Sequence, residues 1–156
     1  MKQLIALRVA LNERLLDIAK LGNTREVSCA KTTCQQARQL LGSTLLLLGG
    51  TNPYPQADNP ASAEVLPAAD QARAEYKPDM PGNAIADVKQ VRAALQESLD
   101  ALEAFRATQW RGYGGSLAEV VFDRAYCELV LCKQWLGEQL GRLAAEKTAP
   151  QTVANG

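Results

Sequence analysis

The chain has 156 residues, of which 47% are hydrophobic and 22% charged, and seventeen basic residues balance seventeen acidic ones. This length supports one buried core and not two typical domains, so we predict a single domain over residues 1–147 and a flexible tail over 148–156. The balanced charge argues against binding to a nucleic acid polymer, whereas a ligand with few phosphates needs only a local group of arginines.

The first part of the chain predicts two amphipathic helices. Apolar residues recur at steps of three and four in the N-terminal segment, and Gly22 is suited to end that helix. The second helix is predicted from residue 24 to 48, with Asn23 or Thr24 as its cap and Gly49 just after its end. At 1.5 Å per residue it is about 37 Å long, so we expect a packing partner along its length.

The stretch over residues 49–82 predicts a long loop insertion. It is rich in proline and carries the turn-forming sequence Asn52-Pro53-Tyr54-Pro55. A connection of this length inside a compact domain is either functional or disordered. An ordered binding loop and a flexible linker both remain open.

Two more helices are predicted after this loop. Asn83 is a candidate cap for the third helix and Ser116 for the fourth, in which Glu138 is placed to pair with Arg142. Both helices carry an apolar stripe of helical period. The predicted fold class is therefore all-α, with long helical hairpins and a long Pro-rich loop.

The chain has no histidine, and its four cysteines form two pairs, Cys29 with Cys34 and Cys127 with Cys132. A spacing of five residues on a helix separates the two sulfurs, so we expect reduced cysteines packed as small hydrophobic residues, with no metal site. No convergent acid and base groups and no nucleotide-binding loop motif are recognisable. We therefore predict no catalytic residue, no cofactor and no enzymatic activity.

The sequence also bears on the location of the protein. Its N-terminal residues lack the features of a secretory signal. The longest apolar run, at residues 45–48, is far shorter than the roughly 18 residues that cross a bilayer. We expect a cytoplasmic protein without a transmembrane segment.

The order of residue types between residues 24 and 70 is the most informative pattern. It runs through Thr24-Arg25-Glu26-Val27, Ala37-Arg38, Leu41-Gly42, Asn52-Pro53-Tyr54-Pro55, Asn59-Pro60 and Leu66-Pro67-Ala68-Ala69-Asp70. This order resembles the helical-hairpin domain of phage anti-defence nucleotide sponges of the anti-CBASS and anti-Thoeris type. It covers about a third of the chain.

The resemblance implies a homo-oligomer that sequesters a cyclic nucleotide or cyclic ADP-ribose-type immune messenger without degrading it. It implies ligand pockets at the interfaces between protomers, and a location in the host cytoplasm if a phage encodes the chain. Neither a nucleic acid polymer nor a membrane is implied as a partner. The ligand-binding residues that it carries over are Arg25, Thr32, Asn52 and Tyr54.

Side-chain chemistry alone adds the candidates Arg111, Tyr113 and Arg124. Guanidinium groups suit phosphate and an aromatic ring suits a nucleobase. The candidates form two clusters. The first contains Arg25, Lys31, Thr32, Thr33 and Arg38 of the second helix with Asn52 and Tyr54, and the second contains Arg106, Trp110, Arg111 and Tyr113. The plain alternative is that the arginines are solvated helix charges, that Tyr54 anchors the loop and that Trp110 belongs to the core.

Two other functions fit the same sequence. A helical adaptor or structural phage protein would bury the apolar helix faces against another protein. A nucleotide-modifying enzyme would return its ligand as a new species.

Overall fold

The computed structural model describes residues 1–50, 81–110 and 115–148, without the side chains of 81–83. Every regular element in this part of the chain is an α-helix: α1 (Lys2–Ala19), α2 (Arg25–Leu47), α3 (Pro81–Gln109) and α4 (Leu117–Thr148). The all-α fold class is confirmed. The Pro-rich loop falls mainly on residues 51–80, and with the tail after residue 148 it lies outside the described residues.

The turn between α1 and α2 follows the predicted signals. Gly22 has a φ of +106°, a left-handed conformation that glycine adopts without strain. Thr24 caps α2, because its hydroxyl oxygen accepts a hydrogen bond from the Val27 amide at 3.3 Å. At the other end of α2, Gly49 has a φ of +75°. The predicted limits of α1 and α2 are thus confirmed.

The starts of the last two helices differ in how well they were predicted. Ser116 caps α4 as expected, since its Oγ accepts a hydrogen bond from the Glu119 amide at 3.2 Å. The predicted cap of α3 is wrong, because α3 begins at Pro81 and Asn83 is its third residue. Proline is well tolerated in the first turn, where its missing N–H has no partner within the helix.

Each helix packs antiparallel to two others. Asn12 of α1 accepts a hydrogen bond from Arg38 of α2 at 2.8 Å, and Met1 lies against Gly50 just beyond α2. The start of α2 lies beside the end of α4, where Thr24 donates to Gln139 at 2.8 Å. The Met1 contact with Gly50 and the Thr24 bond to Gln139 each join the beginning of one helix to the later part of another.

The remaining two sides of the bundle have the same orientation. Between α3 and α4, Arg106 pairs with Asp123 at 3.3 Å. Gln3 of α1 lines a groove with Thr108 near the end of α3. Among the described residues, no Cα atom of α1 lies within 8 Å of one in α4, and the same holds for α2 and α3, so these helices are diagonal to each other. The result is a four-helix bundle in which α2 and α3 run parallel, so the two ends of the connection between them lie at opposite ends of the bundle.

The core runs along the bundle axis and contains apolar residues of all four helices. Its largest fully buried side chains are Phe122, Leu4, Leu11, Leu15, Ile18, Leu41, Leu45, Leu95, Leu102, Leu129, Leu136 and Val27. At one end, Phe122 contacts Trp110 and Phe105, with ring centroids 4.6 and 5.5 Å away. The packing partner expected along α2 therefore lies in the same chain, as α1 and α4, and the length of α2 alone does not require a second copy.

The cysteines are free, but they do not share one environment. Cys34 of α2 and Cys132 of α4 are buried, Cys29 is half-buried and Cys127 is exposed. The expected packing as small hydrophobic residues is wrong for Cys127. Contact with Cys132 and burial raise the pKa of Cys34 well above that of an ordinary thiol, so Cys34 stays protonated at neutral pH.

The predicted pair between Glu138 and Arg142 is wrong. Arg142 instead donates to Glu26 of α2 at 3.0 Å and to Glu146 one turn further along α4 at 3.3 Å. The start of α2 lies next to the end of α4, so Glu26 competes for the guanidinium. Glu138 makes no ion pair with a described residue.

Glu26 should make stability depend on acidity. Its pKa lies below the ordinary 4.5, first because the carboxylate accepts a hydrogen bond from its own backbone amide and then because Arg142 donates to it. A carboxyl group with a lowered folded-state pKa stabilises the fold above its unfolded pKa, and this contribution is lost as the pH falls through the folded value.

We therefore expect Glu26→Gln to lower the melting temperature at pH 7, and the gap from the parent protein to close as the pH falls from about 5 through the folded-state pKa of Glu26. Thermal unfolding of both proteins over the acid range in which they remain folded measures the gap. A gap that does not narrow as the pH is lowered would contradict this role of the carboxylate.

Candidate functional site

The described residues predicted to bind ligand lie in separate grooves. Arg25 is exposed at the start of α2, in a shallow groove that also contains Glu26 and Glu138. Arg124 of α4 lies in another groove and pairs with Glu128 at 2.9 Å. Each guanidinium thus faces at least one carboxylate in its own groove, which opposes the binding of an anion.

Thr32 is exposed on α2, and its hydroxyl donates to the Ser28 carbonyl at 3.1 Å. This bond within the helix occupies the hydroxyl proton, although the oxygen can still accept a hydrogen bond. Neither groove is lined by Thr32. Four further candidates, Asn52, Tyr54, Arg111 and Tyr113, lie outside the described residues.

The neighbours of Arg25 and Thr32 in the first cluster are turned inward. Lys31, Thr33 and Arg38 are buried, with 8%, 9% and 4% of their surface exposed. Arg38 bonds to Asn12 across the contact between α1 and α2. The prediction of one continuous polar cluster on α2 is therefore wrong for these three residues, and Arg38 is not a solvated helix charge.

The second cluster also separates into ordinary structural roles. Trp110 is half-buried and packs on Phe122 and Phe105, as the core alternative predicted. Arg106 forms an exposed ion pair with Asp123 at 3.3 Å. Neither side chain is left in a position that favours binding of a small anion.

A groove between α3 and α4 is a better candidate. It has a volume of about 280 Å³. Its lining residues are Arg92, Gln96, Leu99, Tyr126, Val130, Lys133 and Gln134. Two cationic side chains, three other polar ones and an apolar floor thus face the same space, and none of the described lining residues is acidic.

Arg92 enters this groove from α3. Its Nε atom is buried without a hydrogen-bond partner, and no described residue forms an ion pair with it. Its guanidinium lies over Gly137 of α4, where an added Cβ would be 3.6 Å from Nη2. The terminal nitrogens of the Arg92 guanidinium can donate to an acceptor bound in this groove, which would gain a charge-assisted hydrogen bond.

Lys133 and Tyr126 enter the groove from α4. The Lys133 ammonium donates to the Gln96 side-chain oxygen, and Lys133 forms no ion pair with a described residue. The Tyr126 hydroxyl donates to Glu103 at 3.0 Å, and this hydrogen bond, more than burial, raises the pKa of Tyr126. Tyr126 is therefore neutral at physiological pH and presents an aromatic face beside the two cations.

Two carboxylates lie near the rim of this groove. Asp100 accepts a hydrogen bond from Gln96 at 2.7 Å, and Glu103 accepts the one from Tyr126. Asp100 is eight residues after Arg92, or about 12 Å further along α3. At that distance its attraction is largely screened at physiological ionic strength, so the Arg92 end of the groove is positive.

Charge distinguishes this groove from the others. The groove between α1 and α3 combines Arg14 and Lys20 with Asp17 and Asp87. The groove at Arg25 is lined by one cationic side chain and two carboxylates. The groove at Arg124 is lined by one cationic side chain and one carboxylate. Among these four, the groove between α3 and α4 alone has an excess of positive charge in its lining.

The chain matches no known protein-family model, no curated protein and no solved structure. Within the described residues, no three Cys, Asp or Glu side chains come close enough together to hold a metal ion. None of the described helices is long and apolar enough to cross a membrane.

Sequence reasoning missed the residues of this groove. Arg92 and Gln96 are four residues apart on α3, as are Lys133 and Gly137 on α4, so each pair lies on one helix face. Such spacing is common on any polar helix surface. Only the antiparallel pairing of α3 with α4 brings the two faces together.

Proposed function

We propose that the protein binds and sequesters an anionic nucleotide messenger without chemical change, as a phage anti-defence sponge would. The observation that carries this proposal is the positive groove between α3 and α4, in which Arg92 and Lys133 face no acidic lining residue. The sequence resemblance supplies the ligand class, a cyclic nucleotide or a cyclic ADP-ribose isomer. If a phage encodes the chain, it acts in the host cytoplasm.

The residues of the groove suit the parts of a nucleotide. Arg92 offers a planar fork to a phosphate, Lys133 a compact second charge, and Gln134 an amide for ribose or base. The aromatic ring of Tyr126 suits stacking by a base, which contributes about 1–3 kcal/mol in single-stranded nucleic acid binding. No reaction step is needed, because sequestration lowers the free messenger by mass action.

The affinity that sequestration requires indicates how many copies of the chain form the ligand site. A nanomolar dissociation constant corresponds to about −12 kcal/mol, and hydrogen bonds to charged groups contribute about 1.5–3 kcal/mol each. The groove, about 280 Å³, is also at the lower limit of ligand pockets, which span about 300–1,000 Å³. We therefore include in the proposal that the protein is a homo-oligomer and that a second copy completes the ligand site.

The decisive experiment is calorimetric titration of the purified protein with cyclic dinucleotides, cyclic trinucleotides and cyclic ADP-ribose isomers. The bound ligand is then released by heat and its mass measured. We expect nanomolar binding of at least one messenger and recovery of an unchanged mass. A changed mass would indicate a nucleotide-modifying enzyme. Absence of binding to every compound in the panel would contradict the proposed sequestration.

A helical adaptor or structural phage protein is the second candidate. It is favoured by exposed large apolar side chains on α4, namely Leu117, Val120 and Leu131. Such side chains suit burial against another protein. If the folded protein binds none of the ligands in the panel, the adaptor or structural function becomes the better supported of the two.

A further inference from the structure

The outward side of α4 carries an unusual row of exposed residues. They recur at alternating steps of three and four: Leu117, Val120, Arg124, Cys127, Leu131, Gln134 and Glu138. Leu117, Val120 and Leu131 are 64%, 57% and 43% exposed. Alternating steps of three and four place the whole row along one seam, the geometry by which two helices pack side by side.

The charges of this row are arranged symmetrically about Leu131. Arg124 lies seven residues before it and Glu138 seven residues after it. In an antiparallel helix pair centred on Leu131, Arg124 of each copy faces Glu138 of the other. Glu138 has no ion-pair partner among the described residues of its own chain, and the Arg124 side chain is 69% exposed despite its bond to Glu128.

The sizes of the side chains also match in this register. Leu117, fourteen residues before the centre, faces the small Ala145, and Val120 lies opposite Gly141 and Arg142. A Cβ added at Gly141 would meet no atom within 4 Å, so the surface there is open to a large apolar side chain. Large residues of one copy can thus pack on small residues of the other.

Neighbouring registers do not match. With the centre at Cys127, Arg124 would face Val130, and with the centre at Gln134, Glu138 would face Val130. Each of these places a charged side chain against an apolar one and forms neither ion pair, which is unfavourable. The row therefore favours one register, in which both ion pairs form and Leu131 meets its own copy.

We propose that a second copy of the chain covers this row in a two-fold symmetric dimer, with the two α4 helices antiparallel and Leu131 at the axis. This proposal rests on the self-association included in the proposed function, and it names the surface. Gln134 belongs both to the row and to the groove between α3 and α4. The dimer would therefore place the second copy at the edge of the positive groove.

Charge reversal tests the ion pairs of this dimer. Glu138→Arg and Arg124→Glu should each raise the dimer dissociation constant at least about tenfold, because two like-charge contacts replace two ion pairs. The double variant restores both pairs in reversed order and should return to within about threefold of the parent. Analytical ultracentrifugation measures the constants, and circular dichroism checks that each variant is folded.

Cysteine crosslinking tests the axis and does not depend on the charges. Leu131→Cys in a Cys29→Ser, Cys127→Ser background should give covalent dimers under mild oxidation, since only residues at the axis approach their own copy closely enough for a disulfide. Ala107→Cys, exposed on α3, is the matched control and should stay monomeric in denaturing gels.

The possible outcomes distinguish the α4 dimer surface from the proposed self-association in general. A parent protein that is monomeric at every concentration tested overturns both the dimer and the self-association. A dimer that tolerates both charge reversals and does not crosslink at Leu131→Cys overturns this surface only. Nucleotide binding is measured separately, so its failure would not be mistaken for failure of the dimer.

Discussion

Phe122→Ala is expected to destabilise the protein by about 3–5 kcal/mol, the usual cost of removing a buried aromatic side chain from a core. Phe122 is fully buried, and its ring packs on Trp110 and Phe105 at centroid distances of 4.6 and 5.5 Å. The substitution leaves a cavity between the end of α3 and the start of α4. Urea denaturation followed by circular dichroism gives the free energy of unfolding.

Val9→Ala is a suitable control for this measurement. Val9 is 40% exposed on α1, so its truncation should change the free energy of unfolding by less than about 1 kcal/mol. A cost for Phe122→Ala as small as that of the control would mean that the aromatic cluster is not part of a packed core. It would then contradict the bundle arrangement at this end.

Replacing both cations of the positive groove should abolish tight ligand binding. Each of Arg92 and Lys133 is expected to give a charge-assisted hydrogen bond of about 1.5–3 kcal/mol to the ligand. The double variant Arg92→Gln, Lys133→Gln should therefore weaken binding by a factor on the order of 10² to 10⁴. The probe is the messenger that binds most tightly in the titration panel, with pyrophosphate as a minimal anion.

The stability of this double variant should change little, because neither cation forms an ion pair with a described residue. Arg106→Gln is the matched control. Arg106 is also on α3 but pairs with Asp123 outside the groove, so its loss should alter affinity by less than about twofold. An equal loss of affinity in both variants would point to general electrostatic attraction.

Arg25→Gln separates the groove from the site that the resemblance implies. If Arg25→Gln abolishes binding and the double variant does not, the ligand site lies at the start of α2 and the groove assignment is wrong. A large loss in both would indicate one ligand contacted from two surfaces. A single chain can supply both contacts, because Gln134 lines the groove of Arg25 as well as that of Arg92.

Local signals were sufficient for most helix limits. The Thr24 and Ser116 caps and the glycines at 22 and 49 act through their own backbone and its nearest neighbours, and the structure has them where they were predicted. The start of α3 was missed, because asparagine is a good cap in general while proline also fits the first turn. Neither preference is strong enough to decide between them.

Side-chain partners were harder to predict than helices. Glu138 lies one turn before Arg142 on the same helix. The Arg142 guanidinium nevertheless binds Glu26, which is 116 residues away along the chain. Arg38 is charged and yet buried, because Asn12 on the neighbouring helix accepts its hydrogen bond. Both outcomes depend on which helices are neighbours, and periodicity within one helix carries no information about that.

Patterns within each helix were sufficient to predict the all-α class and the limits of α1 and α2, because these depend on contacts within a helix or on burial of its apolar side. The packing of the four helices set which polar faces meet. It divided the candidate cluster on α2 into buried and exposed residues and brought Arg92 of α3 beside Lys133 of α4. A groove between two helices exists only once their pairing and register are set by the packing of the whole bundle, so no pattern within one helix could predict it.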